Sequence, residues 1–220
     1  MPPEHRRRAC RKTLQALFLH DEEIRRKHPV VAGLDEAGRG PLAGPVVAAA
    51  VVLPPGIVIE GLRDSKKIAE KQRKEVFWNI VRHAAAVGVG MVSAEEIDRL
   101  NILRSTKRAM ELAVDDLGIR PDILLIDALG LPHIDIEQHS IIRGESASAS
   151  IAAASVVAKV VRDDIMIDCH VKYPAYNFKA HKGYSTIEHM ELIRVHGPCP
   201  IHRKSFSRVT DVQLPLGYEP

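Results

Sequence analysis

Two adjacent carboxylates, Asp35 and Glu36, stand directly in front of a glycine-rich stretch, Ala37-Gly38-Arg39-Gly40-Pro41-Leu42-Ala43-Gly44-Pro45. They follow the short apolar run Val30-Val31-Ala32-Gly33-Leu34, which has the pattern of a buried strand. A regular strand sends neighbouring side chains to opposite faces. For both acids to serve one site the pleat must therefore break, and Gly38 and Gly40 supply the freedom to break it. A third acid, Asp127, ends a second apolar run, Ile123-Leu124-Leu125-Ile126. Sheets of α/β proteins commonly place their chemistry at such strand ends.

Three carboxylates gathered at strand ends make an oxygen-only site, which suits hard divalent ions such as Mg²⁺ or Mn²⁺ and lacks the soft ligands that zinc prefers. A pair of such ions about 3.5–4 Å apart can activate water and stabilise the leaving oxygen in phosphodiester cleavage. Gly38-Arg39-Gly40 adds a second capacity. Glycine lets backbone approach a ligand closely, and arginine contributes a phosphate contact. Taken alone, Asp35 and Asp127 could instead cap turns, and a bare Gly-x-Gly occurs in many turns.

The elements that must hold these residues follow from periodicity. Residues 1 to about 28 read as a charged helical arm with Leu14, Leu17 and Phe18 on one face. Val46 to Leu53 reads as a strand antiparallel to the first, broken by Pro54-Pro55-Gly56. From Ile68 to Ala84 the apolar residues Val76, Phe77, Ile80, Val81 and Ala84 recur at three and four, as on a helix. Ala85 to Val92 reads as a third strand. Ser93 with Glu96 forms a capping box. A longer helix follows, with Leu103, Thr106, Met110, Ala113, Val114 and Leu117 on one side and Gly118 as its stop. Another strand lies near Ser140 to Ile142. The Ala-, Ser- and Val-rich residues 146 to 168 form a helix lying close against the sheet. Ser185 with Glu188 makes a second capping box, opening a helix that Gly197-Pro198 ends. The fold class expected is α/β, a mixed sheet flanked by helices with a small helical C-terminal region. Its parts are an arm over 1–28, a catalytic domain over 29–170 and a substrate-binding region over 171–220.

Composition limits the partners. At 220 residues, 45% apolar and 27% charged, the chain holds one sizeable core. With only 4% aromatics it is not a binder that works by stacking many bases. Net charge is only +3, but Lys159 to Arg208 carries nine Lys or Arg against five Asp or Glu, with His170, His181, His189, His196 and His202. Such a basic, His-rich region suits a polyanion or is a solvated face. Cys10, Cys169 and Cys199 form neither a disulfide framework nor a zinc site; the pairing of Cys199 with His202 is read as chance. Reduced thiols fit the cytoplasm. After Arg6, Arg7 and Arg8 the apolar patch Leu14–Leu19 is too short for a signal peptide, and no run is long enough to span a membrane.

The stretch Asp35 to Pro45 resembles the opening signature of ribonuclease HII. The resemblance continues in order through Asp64-Ser65-Lys66-Lys67, Leu125-Ile126-Asp127, Ser150 to Lys159, Arg162-Asp163 and His181-Lys182-Gly183-Tyr184, and so covers residues 29 to 208. It implies a ribonuclease H-like fold and metal-assisted cleavage of RNA in RNA–DNA hybrids. It also implies incision 5′ to single ribonucleotides embedded in duplex DNA. By resemblance Asp35, Glu36 and Asp127 coordinate Mn²⁺ or Mg²⁺, and Gly38, Arg39 and Gly40 read the 2′-hydroxyl, the group that separates RNA from DNA. Tyr184 packs against the sugar of the following deoxynucleotide. Ser65, Lys66 and Lys182 are phosphate contacts, with solvated lysine as the bland alternative. The expected partners are RNA–DNA hybrid and ribonucleotide-containing duplex, bound by a monomer. Arg143-Gly144-Glu145 stands where the family usually has Lys-Gly-Asp, so Glu145 takes the place of a fourth catalytic carboxylate with one extra methylene. Ala128 and Ser185 occupy usual glycine positions.

Three rival readings make different demands. A noncatalytic hybrid-binding protein would tolerate neutral residues at 35, 36 and 127. A glycosidase with paired carboxylates needs no metal, and normally lines its cleft with more aromatics than four Phe, four Tyr and one Trp provide. A Rossmann nucleotide site should lead from its glycines into a helix rather than into Val46–Leu53.

Overall fold

The structure, a computed structural model, describes residues 4–210, with side chains from residue 14 onward. The side chains of Arg6, Arg7, Arg8 and Cys10 and the final ten residues lie outside the described residues. In chain order the elements are α1 (Glu4–Arg25), β1 (Val31–Ala37), β2 (Val46–Val52), α2 (Glu70–His83), β3 (Ala86–Val92), α3 (Ala94–Leu100) and α4 (Ile102–Asp115). They continue with β4 (Ile123–Asp127), β5 (Glu137–Ile141), α5 (Ala149–Lys172), α6 (Phe178–His181), α7 (Ile187–His196) and α8 (Ser207–Thr210). No described helix is long and apolar enough to cross a membrane.

The five strands form one mixed sheet in the order β3-β2-β1-β4-β5. β2 pairs antiparallel with both β1 and β3, while β4 is parallel to β1 and β5. β2 reads VVAAAVV and every residue of it is buried, because helices cover both faces and neither side alternates to water. On one face Ala49 and Val51 pack with Ala152, Ala153, Val156 and Val157 of α5. On the other, Ala32, Leu34, Ala48 and Ala50 pack with Met110, Ala113 and Leu117 of α4 and its C-terminal turn.

α5 lies so close to β1 because Gly33 carries no side chain. A Cβ there would stand 2.1 Å from the Ser150 carbonyl carbon and 2.2 Å from the Ile151 nitrogen. The start of α5 is tied down twice. Ser148 caps it by accepting from the Ile151 amide, and fully buried Asp21 of α1 accepts from the Ser150 amide at 2.7 Å.

Several boundaries differ from expectation. Ser65–Lys67 is a separate turn of 3₁₀ helix capped by Asp64, so α2 starts only at Glu70. On α2, Val76 and Ile80 are buried, whereas Val81 lies outside the stripe and is exposed. Leu103, in the first turn of α4, is also exposed. β5 starts at Glu137 and Ile142 protrudes beyond it. The Ser93–Glu96 capping box is present, but α7 is capped by Thr186, not Ser185. Ser185 instead accepts from Arg208, and Glu188 accepts from Asn177. The second capping box therefore does not form.

The C-terminal helices pack over the loop that follows β1. Ala43 joins Met166, Tyr176, Phe178 and Cys199 in one apolar cluster, and Leu42 joins Ile193 and Val209 in another. Backbone hydrogen bonds register the two segments, from Gly44 to the Ile201 carbonyl and from Arg203 to the Leu42 carbonyl, each 2.8 Å.

Candidate active site

The pleat does not break between the two adjacent acids. The β1–β2 ladder runs on through Asp35↔Ala49 and Glu36↔Ala48 to Ala37↔Val47, and the chain departs only at Gly38, with φ +97°. Alternation puts Asp35 and, one strand away, Asp127 on the α5 face, because Leu34 is level with Ile126. Glu36 alternates to the other face but sits at the same strand-end edge. Its carboxylate feels both Asp127 and Lys66, and the residue lines a groove with Ser65, Lys66, Ser155, Lys159 and Tyr184. The three acids thus share a sheet edge, and no broken pleat brings them there.

Each acid is anchored by hydrogen bonds. Asp35 Oδ1 accepts from the Glu36 amide at 2.8 Å, and its carboxyl also bonds the Ser155 hydroxyl, which is 2.8 Å from that of Ser65. Glu36 Oε1 accepts from Arg39 Nη1 at 3.3 Å. Asp127 Oδ1 accepts from the Gly144 amide at 2.9 Å, which brings the Gly144–Ser146 turn and Glu145 against the end of β4. The second oxygens of Glu36 and Glu145 are buried without a hydrogen-bond partner.

The electrostatics show what is lacking. Burial pushes the Asp35 carboxyl up to about 8, helped by the charges of Glu36 and Asp127. Burial also raises Glu36, against the pull of Arg39. Acids that resist ionisation, with orphaned oxygens beside them, are short of positive charge. An all-oxygen donor set with that shortage fits a hard divalent cation. Among the described residues no three His, Cys, Asp or Glu side chains already close into a cage. The groups present that could hold such an ion are Asp35, Glu36 and Asp127, with Glu145 adjacent.

Beside the acids the Gly38–Pro45 loop is held by two buried guanidinium groups. Arg162 of α5 donates to the carbonyls of Pro45 (3.0 Å), Ala43 (3.1 Å) and Lys182 (3.1 Å). Arg203 donates to those of Gly38 (2.6 Å), Arg39 (3.0 Å) and Gly44 (2.9 and 3.0 Å). A Cβ on Gly38 would stand 2.1 Å from Arg162 Nε, so glycine is required by space as well as by its positive φ. Gly40 has no atom within 4 Å of such a Cβ.

The other expected site residues separate. Ser65 is buried and Lys66 exposed, both on the groove. Tyr184 is 41% exposed, with Lys159 Nζ 5.4 Å and Arg162 Cζ 5.6 Å from its ring centroid, so it is not a core tyrosine. Lys182 does not reach the groove. Its ammonium donates to the Lys179 carbonyl at 2.6 Å and lies 3.9 Å from Glu70. Lys159 stands in the groove instead, paired with Asp163 at 2.6 Å. Its i, i+4 acid was visible in the sequence, whereas the hydroxyl pair of Ser155 and the reach of Arg203 had no local signal.

Three of the five C-terminal histidines add no positive surface. His181, His189 and His202 are buried, and burial lowers all three, His189 and His202 to about 4. Their partners fix neutral tautomers. His202 Nδ1 accepts from the Cys199 amide (2.9 Å, closer than that residue's carbonyl at 3.3 Å). His202 Nε2 then donates to His189 Nε2 at 3.1 Å, and His189 Nδ1 donates to the Tyr184 carbonyl at 2.9 Å. His202 thus serves the backbone at Cys199. The buried Cys199 thiol is pushed up to about 11, mainly by desolvation.

Comparison with known proteins follows the same residues. The sequence profile of "Ribonuclease HII" matches residues 32–209. A ribonuclease HII of Acetivibrio thermocellus is 54% identical over 195 residues, 89% of this chain and 76% of the relative. One of Chlamydia pneumoniae is 52% identical over 197 residues, 89% of this chain and 92% of the relative. Among solved structures, the ribonuclease H2 of Pyrococcus horikoshii OT3 superposes with a TM-score of 0.68 at 25% identity, covering 83% of this chain and 96% of that one.

Proposed function

The chain belongs to the ribonuclease HII family, and on that premise we propose how its residues divide the work of cutting RNA paired with, or embedded in, DNA. It is an endoribonuclease that hydrolyses the RNA strand of RNA–DNA hybrids and incises 5′ to single ribonucleotides in duplex DNA, leaving 3′-hydroxyl and 5′-phosphate ends. Ribonucleases H depend on divalent cations. In our reading Asp35, Glu36 and Asp127 hold them here, with Glu145 as a fourth carboxylate, and the ion is Mn²⁺ or Mg²⁺. When bound, such ions supply Lewis-acid activation of water and of the phosphate.

The protein's own groups do the rest. Gly38, Arg39 and Gly40 meet the ribose and read its 2′-hydroxyl, because this turn sits directly beside the acids and Gly40 opens on free space. Tyr184, with two cations of α5 against its ring, offers its exposed ring to the next sugar. Lys66 faces the phosphate backbone, Ser65 holds Ser155 against Asp35, and Lys159 neutralises the groove wall. Lys182 is left as a structural residue. The protein works as a cytoplasmic monomer, consistent with the free thiols of Cys169 and Cys199.

The observation that carries this division is the pair of partnerless carboxylate oxygens, on Glu36 beside the glycine turn and on Glu145 in the Gly144–Ser146 turn against the end of β4. The test is incision of a labelled DNA duplex bearing one ribonucleotide, with all-DNA and RNA–DNA duplexes as controls. We expect a single nick on the 5′ side of the ribonucleotide, abolished by EDTA and restored by Mn²⁺ or Mg²⁺. Cleavage that persists in EDTA, or an untouched ribonucleotide, defeats the assignment.

A further inference from the structure

We propose that Arg203 is the positioning residue of the ribose-reading turn: its buried guanidinium orients the Gly38–Arg39 and Arg39–Gly40 peptide planes so that their amides face the groove. The inference rests on the reading of that turn given above.

Arg203 is fully buried, and among the described residues no carboxylate forms an ion pair with it, although Asp98, bonded to the Lys204 and Ser205 amides, attracts it from further off. A buried charge without a counter-ion is costly, and is tolerated only where hydrogen bonds replace its hydration. Here they are supplied by backbone alone. Four contacts run to three carbonyls, those of Gly38, Arg39 and Gly44. Only a planar fork of several N–H groups spans three carbonyls in this way. The Phe206 ring lies 5.2 Å from the guanidinium carbon, and the Arg203 amide is bonded to the Leu42 carbonyl at 2.8 Å. The fork is thus fixed from both of its own ends.

The consequence follows from peptide geometry. A trans peptide is planar, with its C=O and N–H pointing in opposite directions. Turning the Gly38 carbonyl toward Arg203 turns the Arg39 amide away from it. Turning the Arg39 carbonyl inward does the same for the Gly40 amide. Both residues are exposed and line the groove with Tyr184, Ser65 and Lys66, and neither amide has a recorded acceptor among the described residues. Two successive donors are thereby held ready for a sugar oxygen. Arg162 does a different job. It anchors the far arm of the loop at Ala43 and Pro45 and leaves the carbonyls of Gly38 and Arg39 alone.

The experiment compares the full chain with Arg203→Lys and Arg203→Gln, each assayed well below its own melting midpoint. We expect kcat/KM on the single-ribonucleotide duplex to fall about 100-fold, the scale of an ångström of misplacement. Affinity for an all-DNA duplex without divalent cation should stay within about twofold, because the bulk of a duplex contact is to phosphates. Lysine should rescue little, since one ammonium cannot span three carbonyls. A folded variant that nicks at the wild-type rate overturns the inference, as does a parallel loss of all-DNA binding, which would make Arg203 merely structural. If neither variant folds, the wild type decides by amide NMR without divalent cation. The Arg39 and Gly40 signals should shift with the ribonucleotide duplex and not with the all-DNA duplex; equal shifts, or none, overturn the inference. Failure of the wild type to nick at all is a different result, which removes the functional reading itself.

Discussion

The contrast between Gly40→Ala and Gly38→Ala separates function from folding within one turn. At Gly40 φ is not positive and an added methyl meets no atom within 4 Å. The folded protein should therefore pay nothing, and loss of chain freedom in the unfolded state should stabilise it by roughly 0.4–1 kcal/mol. At Gly38 the added carbon would lie 2.1 Å from Arg162 Nε, 2.5 Å from its Cδ and 2.7 Å from the Pro45 carbonyl, at φ +97°. The left-handed backbone costs an L-residue about 1–2 kcal/mol, and parting the buried guanidinium from the Pro45 carbonyl adds about 1–3 more. We therefore expect Gly38→Ala to lose about 3 kcal/mol in urea denaturation with EDTA present, and Gly40→Ala to match or exceed the wild type. Incision should fall about 100-fold for Gly40→Ala, because its methyl fills the space in which the ribose must approach the backbone. A Gly40→Ala protein that is stable and incises at the wild-type rate would show that no substrate atom enters that space. The turn would then not be the reader.

Further outcomes follow from the same contacts. His189 and His202 have folded-state values of about 4 against 6.5 for the free group, so between pH 6.5 and 4 the unfolded chain binds protons that the native protein refuses. Stability from this source is complete above pH 6.5 and is lost on acidification, by about 2 kcal/mol per ring at pH 5. Ring-proton NMR should find both histidines neutral at pH 5, and a midpoint near 6.5 would refute the neutral chain of hydrogen bonds. Gly33→Ala drives a carbon into the backbone of α5 and should lower the unfolding free energy measured in urea by about 3 kcal/mol or more; an unchanged unfolding free energy contradicts the close approach. Asp127→Asn keeps an acceptor for the Gly144 amide, so the fold should hold, while apparent affinity for Mn²⁺ or Mg²⁺ in rate titrations drops at least about 10-fold. An unchanged metal dependence would remove Asp127 from the cation site.

The sheet and its two covering helices were legible because their signals are local: the apolar runs of β1, β2 and β4, the three-and-four spacing of α4 and the small residues of α5. Asp35, Glu36 and Asp127 were legible as acids at strand ends, but the way the strands carry them was not. A broken pleat was expected, whereas the ladder passes unbroken through both acids. Ser185 and Thr186 offer equivalent hydroxyls to a helix N-terminus; in the fold Thr186 accepts from the His189 amide while Ser185 accepts from Arg208. From the sequence, Lys182 reads as a phosphate contact or a solvated lysine, and Lys159 is given no role. Lys182 takes up a left-handed backbone at φ +52° and turns back onto Lys179, which no spacing rule announces. The histidines looked like surface charge because burial of an aromatic cluster is a tertiary property.

The order in which the chain is made gives the clamp on the Gly38 turn a further meaning. All five strands and the long α5 helix are encoded before residue 173, so an emerging polypeptide acquires its full set of acids while the 201–203 segment is still unsynthesised. Until Arg203 arrives, the carbonyls of residues 38, 39 and 44 lack their guanidinium donor, and Arg162 ties the loop only at its far arm, at Ala43 and Pro45. On the proposed reading of that turn, selectivity for ribose is the last property the nascent enzyme gains, and a chain cut short before residue 203 would keep the proposed cutting residues and lose the proposed means of choosing what they cut.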